Sequence, residues 1–175
     1  MDVGDFRELV VRPALQLLAS ETDEPRLWSP AAETLVVGTG IHESGGLKYL
    51  WQRQANGVRL VHEQAGRGLF QIQPSTHEDL WRSYLHFRVP LRAALTDLST
   101  IRWLAIDGPV DTELIGNLPY AAAVCRLIYW RRPEPLPEAD DIEGMARYWG
   151  QFYQTENDPE KIRDFISNYR RYVKE

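Results

Sequence analysis

The run from Ser29 to Gly46 constrains this chain more than any other stretch. Ser29-Pro30 is a helix start: the hydroxyl caps free amides, and proline at the first helical position lacks an amide proton that would have no partner there. Residues 31–41 are apolar or small on nearly every face, so the spacing gives a helix buried all round. Gly45-Gly46 then stops it, because the residue after a last helical turn favours the left-handed conformation. A helix of this kind has to be wrapped by other elements, and it carries the acid Glu43 inward on its last turn.

The C-terminal end of a helix bears partial negative charge, which disfavours a carboxylate. Apolar surroundings disfavour it too, so both effects raise the acid's pKa. A carboxyl group that stays protonated near neutral pH is a general acid. An arbitrary glutamate at a helix end is more often simply solvated, so the following residues decide. They are a polar stretch with Ala55-Asn56-Gly57 at its centre, then Gly66-Arg67-Gly68-Leu69-Phe70-Gln71-Ile72-Gln73-Pro74-Ser75-Thr76. Asn-Gly between two short extended runs over residues 49–64 predicts a small β-hairpin.

Glu43-Ser44-Gly45 followed by Gly68-Leu69-Phe70-Gln71-Ile72-Gln73-Pro74-Ser75-Thr76 resembles the soluble lytic transglycosylase and goose-type lysozyme superfamily, in the versions encoded by tailed bacteriophages. The family pattern is a Glu-Ser pair on a buried helix, then Gly-Leu-Met-Gln-Ile-x-Pro-x-Thr; Phe70 stands in the apolar slot usually held by Met. The resemblance is strongest over residues 34–76 and traceable to about Tyr153. It implies a lysozyme-like fold and cleavage of peptidoglycan glycan strands, with Glu43 as the acid. Ser44 would orient the Glu43 carboxyl group, and Gln71 and Gln73 would face the sugar. The family also places two tyrosines along the sugar cleft. Tyr129 and Tyr148 have the family's spacing, with Tyr120 a rival to Tyr129, although Ala146-Arg147-Tyr148-Trp149-Gly150 lacks the family's Asn-Ala.

A second carboxylate would change the chemistry, since hydrolysis of a glycosidic bond usually takes two, about 5–9.5 Å apart. Goose-type lysozymes carry an aspartate at the place held here by His62, with Glu63 beside it. Transglycosylases have none there and close the sugar's own 6-hydroxyl onto the anomeric carbon, which needs a positioned hydroxyl and no activated water. His62 favours a transglycosylase, and Glu63 keeps a hydrolytic muramidase as the alternative. A catalytically inactive virion protein of the same fold is a third reading.

The rest of the chain reads as helices: residues 5–20, bent or interrupted at Pro13, with Phe6, Leu9, Val10, Leu17 and Leu18 inward; a helix opened by Ser75 or Thr76 to Tyr84; and residues 88–99. An apolar piece over 101–106 ends at Asp107-Gly108-Pro109. Residues 111–132 form a long apolar helical region broken at Pro119. A stiff connector rich in proline follows, then helices over 141–153 and from Asp158-Pro159 to Val173. The sum is one mainly helical α+β domain over residues 1–175, with the hairpin beside the Glu43 helix. A net charge of -5 argues against nucleic acid as a partner, and the single cysteine, Cys125, sits in an apolar stretch that suits packing. His42-Glu43, His62-Glu63 and His77-Glu78 lack the second histidine of a zinc protease, so no metal or cofactor is implied. No basic, apolar leader opens the chain and no run is long enough to span a bilayer. A wall-degrading protein made in the cytoplasm of an infected bacterium would then reach its substrate after lysis or as part of a virion, with other virion proteins as partners.

Overall fold

The Pro30–Glu43 helix runs through the centre of the molecule, as its sequence requires. Ser29 Oγ accepts a hydrogen bond from the Ala32 amide at 3.0 Å, Pro30 occupies the first turn, and residues 32–41 are all buried. The computed structural model describes residues 1–100 and 110–173. Gly38 and Gly40 each cost a helix about 1 kcal/mol relative to alanine. Burial of Leu35, Val36, Val37 and Ile41 contributes about 1.5–3 kcal/mol per side chain, so packing decides. The glycines also set how closely the neighbours approach. A Cβ on Gly38 would lie 2.7 Å from the Phe165 ring, and one on Gly40 would lie 3.0 Å from Phe6.

Four elements wrap this helix: the helical segment around Phe6, the Leu118–Trp130 helix, the Ile142–Phe152 helix and the Pro159–Tyr172 helix. Leu118–Trp130 is the second interior helix, with residues 120–129 all buried, and it packs on Arg12–Glu21 and Val89–Leu98. The break before it falls at Asn117, whose side chain accepts from the Tyr120 amide, so Pro119 sits harmlessly in the first turn. Asp141 and Asp158 cap the last two helices. Side chains from all these helices join one apolar cluster. Among the described residues, no helix is long and apolar enough to cross a membrane.

Several expectations need correction. Pro13 does not interrupt the first helix. The chain widens into a π-helical stretch over Phe6–Val11, in which the Arg12 amide donates to the Arg7 carbonyl, and re-enters α-helix at Arg12–Glu21. The wider turn rotates the face, so Leu9 is 70% exposed and Val11, Ala14 and Leu15 join Phe6 and Leu18 inside. The next helix opens on Pro74, over Pro74–Asp79, with no side-chain cap from Ser75 or Thr76.

The β-hairpin is absent, and the described residues contain no sheet. The chain does reverse at Ala55-Asn56-Gly57, where the Val58 amide donates to Asn56 Oδ1 at 3.0 Å, but only isolated bridges form: Trp51 with Arg67, Arg53 with Arg59, and Arg67 with Ile72. Backbone hydrogen bonds still cross this lobe, from the Leu60 amide to the Gln52 carbonyl at 2.9 Å and from the Gln54 amide to the Val58 carbonyl at 2.8 Å, and side chains add to them. The Trp51 ring lies between the guanidinium groups of Arg59 and Arg67, at 3.9 and 3.8 Å, and its Nε1 donates to the Leu60 carbonyl at 2.8 Å. The expected apolar piece over residues 101–106, with its breaker, lies outside the described residues.

Candidate active site

Glu43 is the last residue of the central helix, and the backbone beyond it is fully committed to ending that helix. The Gly46 amide donates to the Ile41 carbonyl at 2.8 Å and the Gly45 amide to His42 at 3.3 Å, the paired closure of a Schellman motif. Gly46 has φ +84° and presses on Tyr172, where a Cβ would lie 2.3 Å from the ring, so any side chain there is strained and displaces Tyr172. Ser44 belongs to this closure. Its Oγ donates to the Gly40 carbonyl at 2.6 Å and accepts from the Leu47 amide at 2.8 Å. The expectation that Ser44 orients the Glu43 carboxyl is therefore corrected: its hydroxyl is spent on the helix end.

Two other side chains hold the Glu43 carboxyl. Its Oε1 accepts from Trp149 Nε1 at 3.0 Å and from Gln154 Nε2 at 2.7 Å. Both bonds favour the ionised form, yet desolvation outweighs them and pushes the pKa up to about 7. Neighbouring His42 does not compensate, because burial lowers its own pKa to about 4 and leaves it neutral. It packs edge-on against Trp149, with ring centroids 4.5 Å apart. Glu43 is thus an acid poised to hold a proton at neutral pH while one side of it meets solvent.

That side opens into a cleft of about 440 Å³ lined by Glu43, Gln71, Gln73, Gln154, Tyr49 and Arg53, among others. A second hollow of about 390 Å³ shares Gln71, Gln73 and Gln154 and continues past Tyr153 to Glu156 and Lys161. The three shared glutamines join the two into a polar groove, and Glu43 lines the first part of it. Gln71 reaches it from a tight turn: the Arg67 and Ile72 amides and carbonyls bond reciprocally at 2.9 and 3.1 Å, and Gln71 is left with φ +50°. Gly68 makes the turn possible, since a Cβ there would lie 1.8 Å from the Leu114 carbonyl oxygen. Leu69, Phe70 and Ile72 anchor the turn in the core, with Phe70 tilted against Phe6 at 5.9 Å. Gln71 Nε2 donates back to the Gly68 carbonyl at 2.6 Å and to the Tyr49 carbonyl at 3.4 Å, which holds the side chain at the groove wall.

Compared with protein-family models, with curated proteins and with solved structures, the chain gives no match in any of the three.

Glu43, Gln71 and Gln73 come together in the groove; the other expected residues do not. Tyr129 is buried, shares a 2.8 Å hydrogen bond with Thr39 Oγ1, and stacks on Tyr153 at 5.4 Å. Tyr148 donates to the Glu134 carbonyl at 2.9 Å, and both tyrosines border a different cavity. Tyr120 lies in the core against His77 Nε2 at 2.6 Å and Trp81 Nε1 at 3.0 Å. Glu63 and His62 are exposed beside Trp51 and Arg67 in a separate hollow, not in the groove with Glu43. Among the described residues no cluster of three His, Cys, Asp or Glu side chains gathers to hold a metal.

Sequence reasoning missed Trp149 and Gln154, the two donors to Glu43. Trp149 follows Tyr148 within residues 146–150 and lies on a different helical face, the one that meets Glu43. Gln154 follows the end of the Ile142–Phe152 helix, and no local pattern marks a loop glutamine as a carboxyl partner. Glu33 was missed as well. It is 3% exposed and accepts from Arg7, Arg12 and Trp28, so the first turn of the central helix carries a part-buried ion network.

Proposed function

We propose that this protein is a peptidoglycan-degrading lytic transglycosylase with a lysozyme-like fold and Glu43 as its single acid and base. The observation that carries the reading is Glu43 itself: a carboxyl group raised to about 7, fixed by Trp149 and Gln154, and facing a long polar groove. Glu43 protonates the oxygen of the β-1,4 bond between N-acetylmuramic acid and N-acetylglucosamine. The substrate's N-acetyl group shares the positive charge that develops at the anomeric carbon. Glu43, now ionised, takes the proton of the same sugar's 6-hydroxyl as that oxygen attacks, and the product is a 1,6-anhydro end. One group can serve both steps because a pKa near 7 suits donation and acceptance alike.

The muramidase reading needs a second carboxylate in the groove, and Glu63 lines another hollow, which favours the one-acid route. Glycan strands of the cell wall are the substrate in this account, and virion proteins are the other partners expected if the chain travels in a particle. Purified cell walls embedded in a gel test the activity directly. Clearing by the wild-type chain and none by Glu43→Gln is the expected pattern; no clearing by the wild type on any wall would contradict the enzyme reading and favour a structural role.

A further inference from the structure

A roomier cavity lies apart from the Glu43 groove. It has a volume of about 700 Å³ and lies between the Leu118–Trp130 helix, the segment before Ser29 and the proline-rich connector over residues 133–137. That size suits a small organic ligand. Its wall contains an unusual group: Arg126 is 3% exposed, and no carboxylate pairs with it among the described residues. Its Nε donates to the Leu27 carbonyl at 2.8 Å and an Nη to the Arg26 carbonyl at 3.0 Å, so neutral oxygens fix its position and leave its charge unbalanced. A buried charge without a counter-ion is costly.

Further features aim the same way. Arg132 also lines the cavity, and its Nε is buried with no hydrogen-bond partner. Trp130 offers an apolar face to both Arg26 and Arg126, whose guanidinium carbons lie 5.6 and 5.1 Å from its ring. Trp28 completes that side. The opposite wall is stiff, with Pro133, Pro135 and Pro137 in the connector and its Glu134 carbonyl pinned by the Tyr148 hydroxyl at 2.9 Å. A cavity held this way needs little ordering when a ligand enters. Three arginines face two glutamates, Glu134 and Glu138, around it, a balance that one negative charge would neutralise and a dianion would overshoot.

We propose that this cavity is a second binding site, separate from the Glu43 groove, for a ligand with one carboxylate on an apolar or aromatic body. The carboxylate takes the fork presented by Arg126 and Arg132, for which guanidinium geometry is well matched. The body lies on Trp28 and Trp130. The ligand chemistry has two sources, the C-terminal end of a peptide or a free aromatic acid. The proposal stands whatever the Glu43 groove does.

Calorimetric titration of the full chain tests it. Hippurate, which joins a ring, an amide and a carboxylate, should bind saturably at one site, and N-benzoylglycinamide, its uncharged analogue, should not. Arg132→Gln should weaken hippurate at least about tenfold, the loss expected for one charge-assisted hydrogen bond. Its melting temperature should hold, since the Arg132 side chain makes no hydrogen bond among the described residues; Arg126→Gln is avoided because it would free two carbonyls. Trp130→Phe should weaken binding independently. Acetyl-Ala-Ala binding as tightly as hippurate would assign a peptide end, and binding of hippurate alone a free aromatic acid. The proposal is overturned if neither carboxylate saturates, if the amide binds equally well, if inorganic phosphate binds more tightly, or if Arg132→Gln binds hippurate like the wild type.

Discussion

Replacing Glu43 with glutamine separates what the residue does for chemistry from what it costs the fold. The Glu43 carboxyl is raised from 4.5 to about 7 because burial disfavours its charge more than Trp149 and Gln154 favour it. The folded chain therefore holds a proton that the unfolded chain releases between those pH values. Stability from this group is full below about pH 4.5, falls as pH rises toward 7, and is flat beyond. The loss by pH 8 is about 3 kcal/mol as an upper figure, lowered by the side of the carboxyl that meets solvent. Glutamine keeps the acceptor for Trp149 and Gln154 and cannot ionise, so Glu43→Gln should melt several degrees above the wild type at pH 8 and close to it at pH 5. Cleavage of cell walls should drop by at least about 10² to 10⁴-fold. Melting curves at the two pH values, run beside turbidity clearing, check both halves. A variant less stable than the wild type at pH 8 would refute the desolvation argument, and one that still clears walls would refute the single acid.

The other expectations concern residues around that carboxyl. Gln71→Gly removes the groove side chain at a backbone φ of +50° that glycine tolerates, so activity should fall while the melting temperature stays. Parallel loss of both would make Gln71 a structural residue. Glu63→Ala should change stability by less than about 0.5 kcal/mol and keep most of the activity, because Glu63 is exposed and outside the groove. Glu33→Gln removes the negative charge between Arg7 and Arg12 while keeping one acceptor, and should lower the urea midpoint of unfolding.

The helices were legible where caps and prolines mark them. Ser29-Pro30, Asp141 and Asp158-Pro159 all open helices as the sequence implies. Glu43 at the end of a buried helix was legible too, because composition and the Gly45-Gly46 stop together decide it. The hairpin was not. Asn56-Gly57 does turn the chain, but Trp51, Arg59 and Arg67 stack with one another, and stacking across a loop leaves no periodic trace. Pro13 misled for a different reason: a π-helical widening absorbs the missing amide, and sequence pattern cannot distinguish that from a break. Tyr129 and Tyr148 match a spacing, yet one bonds Thr39 and the other a backbone carbonyl, because spacing along helices does not say which wall of the core a ring will join.

In the proposed mechanism one carboxyl group, with no second, cleaves the glycan. Mass spectrometry of the soluble fragments released from purified cell walls addresses it most directly. The fragments should carry 1,6-anhydro-N-acetylmuramic ends, without a reducible group and without oxygen from labelled water. Fragments heavier by one water, reducible by borohydride and labelled from the solvent, would contradict it and require a second carboxylate in the groove.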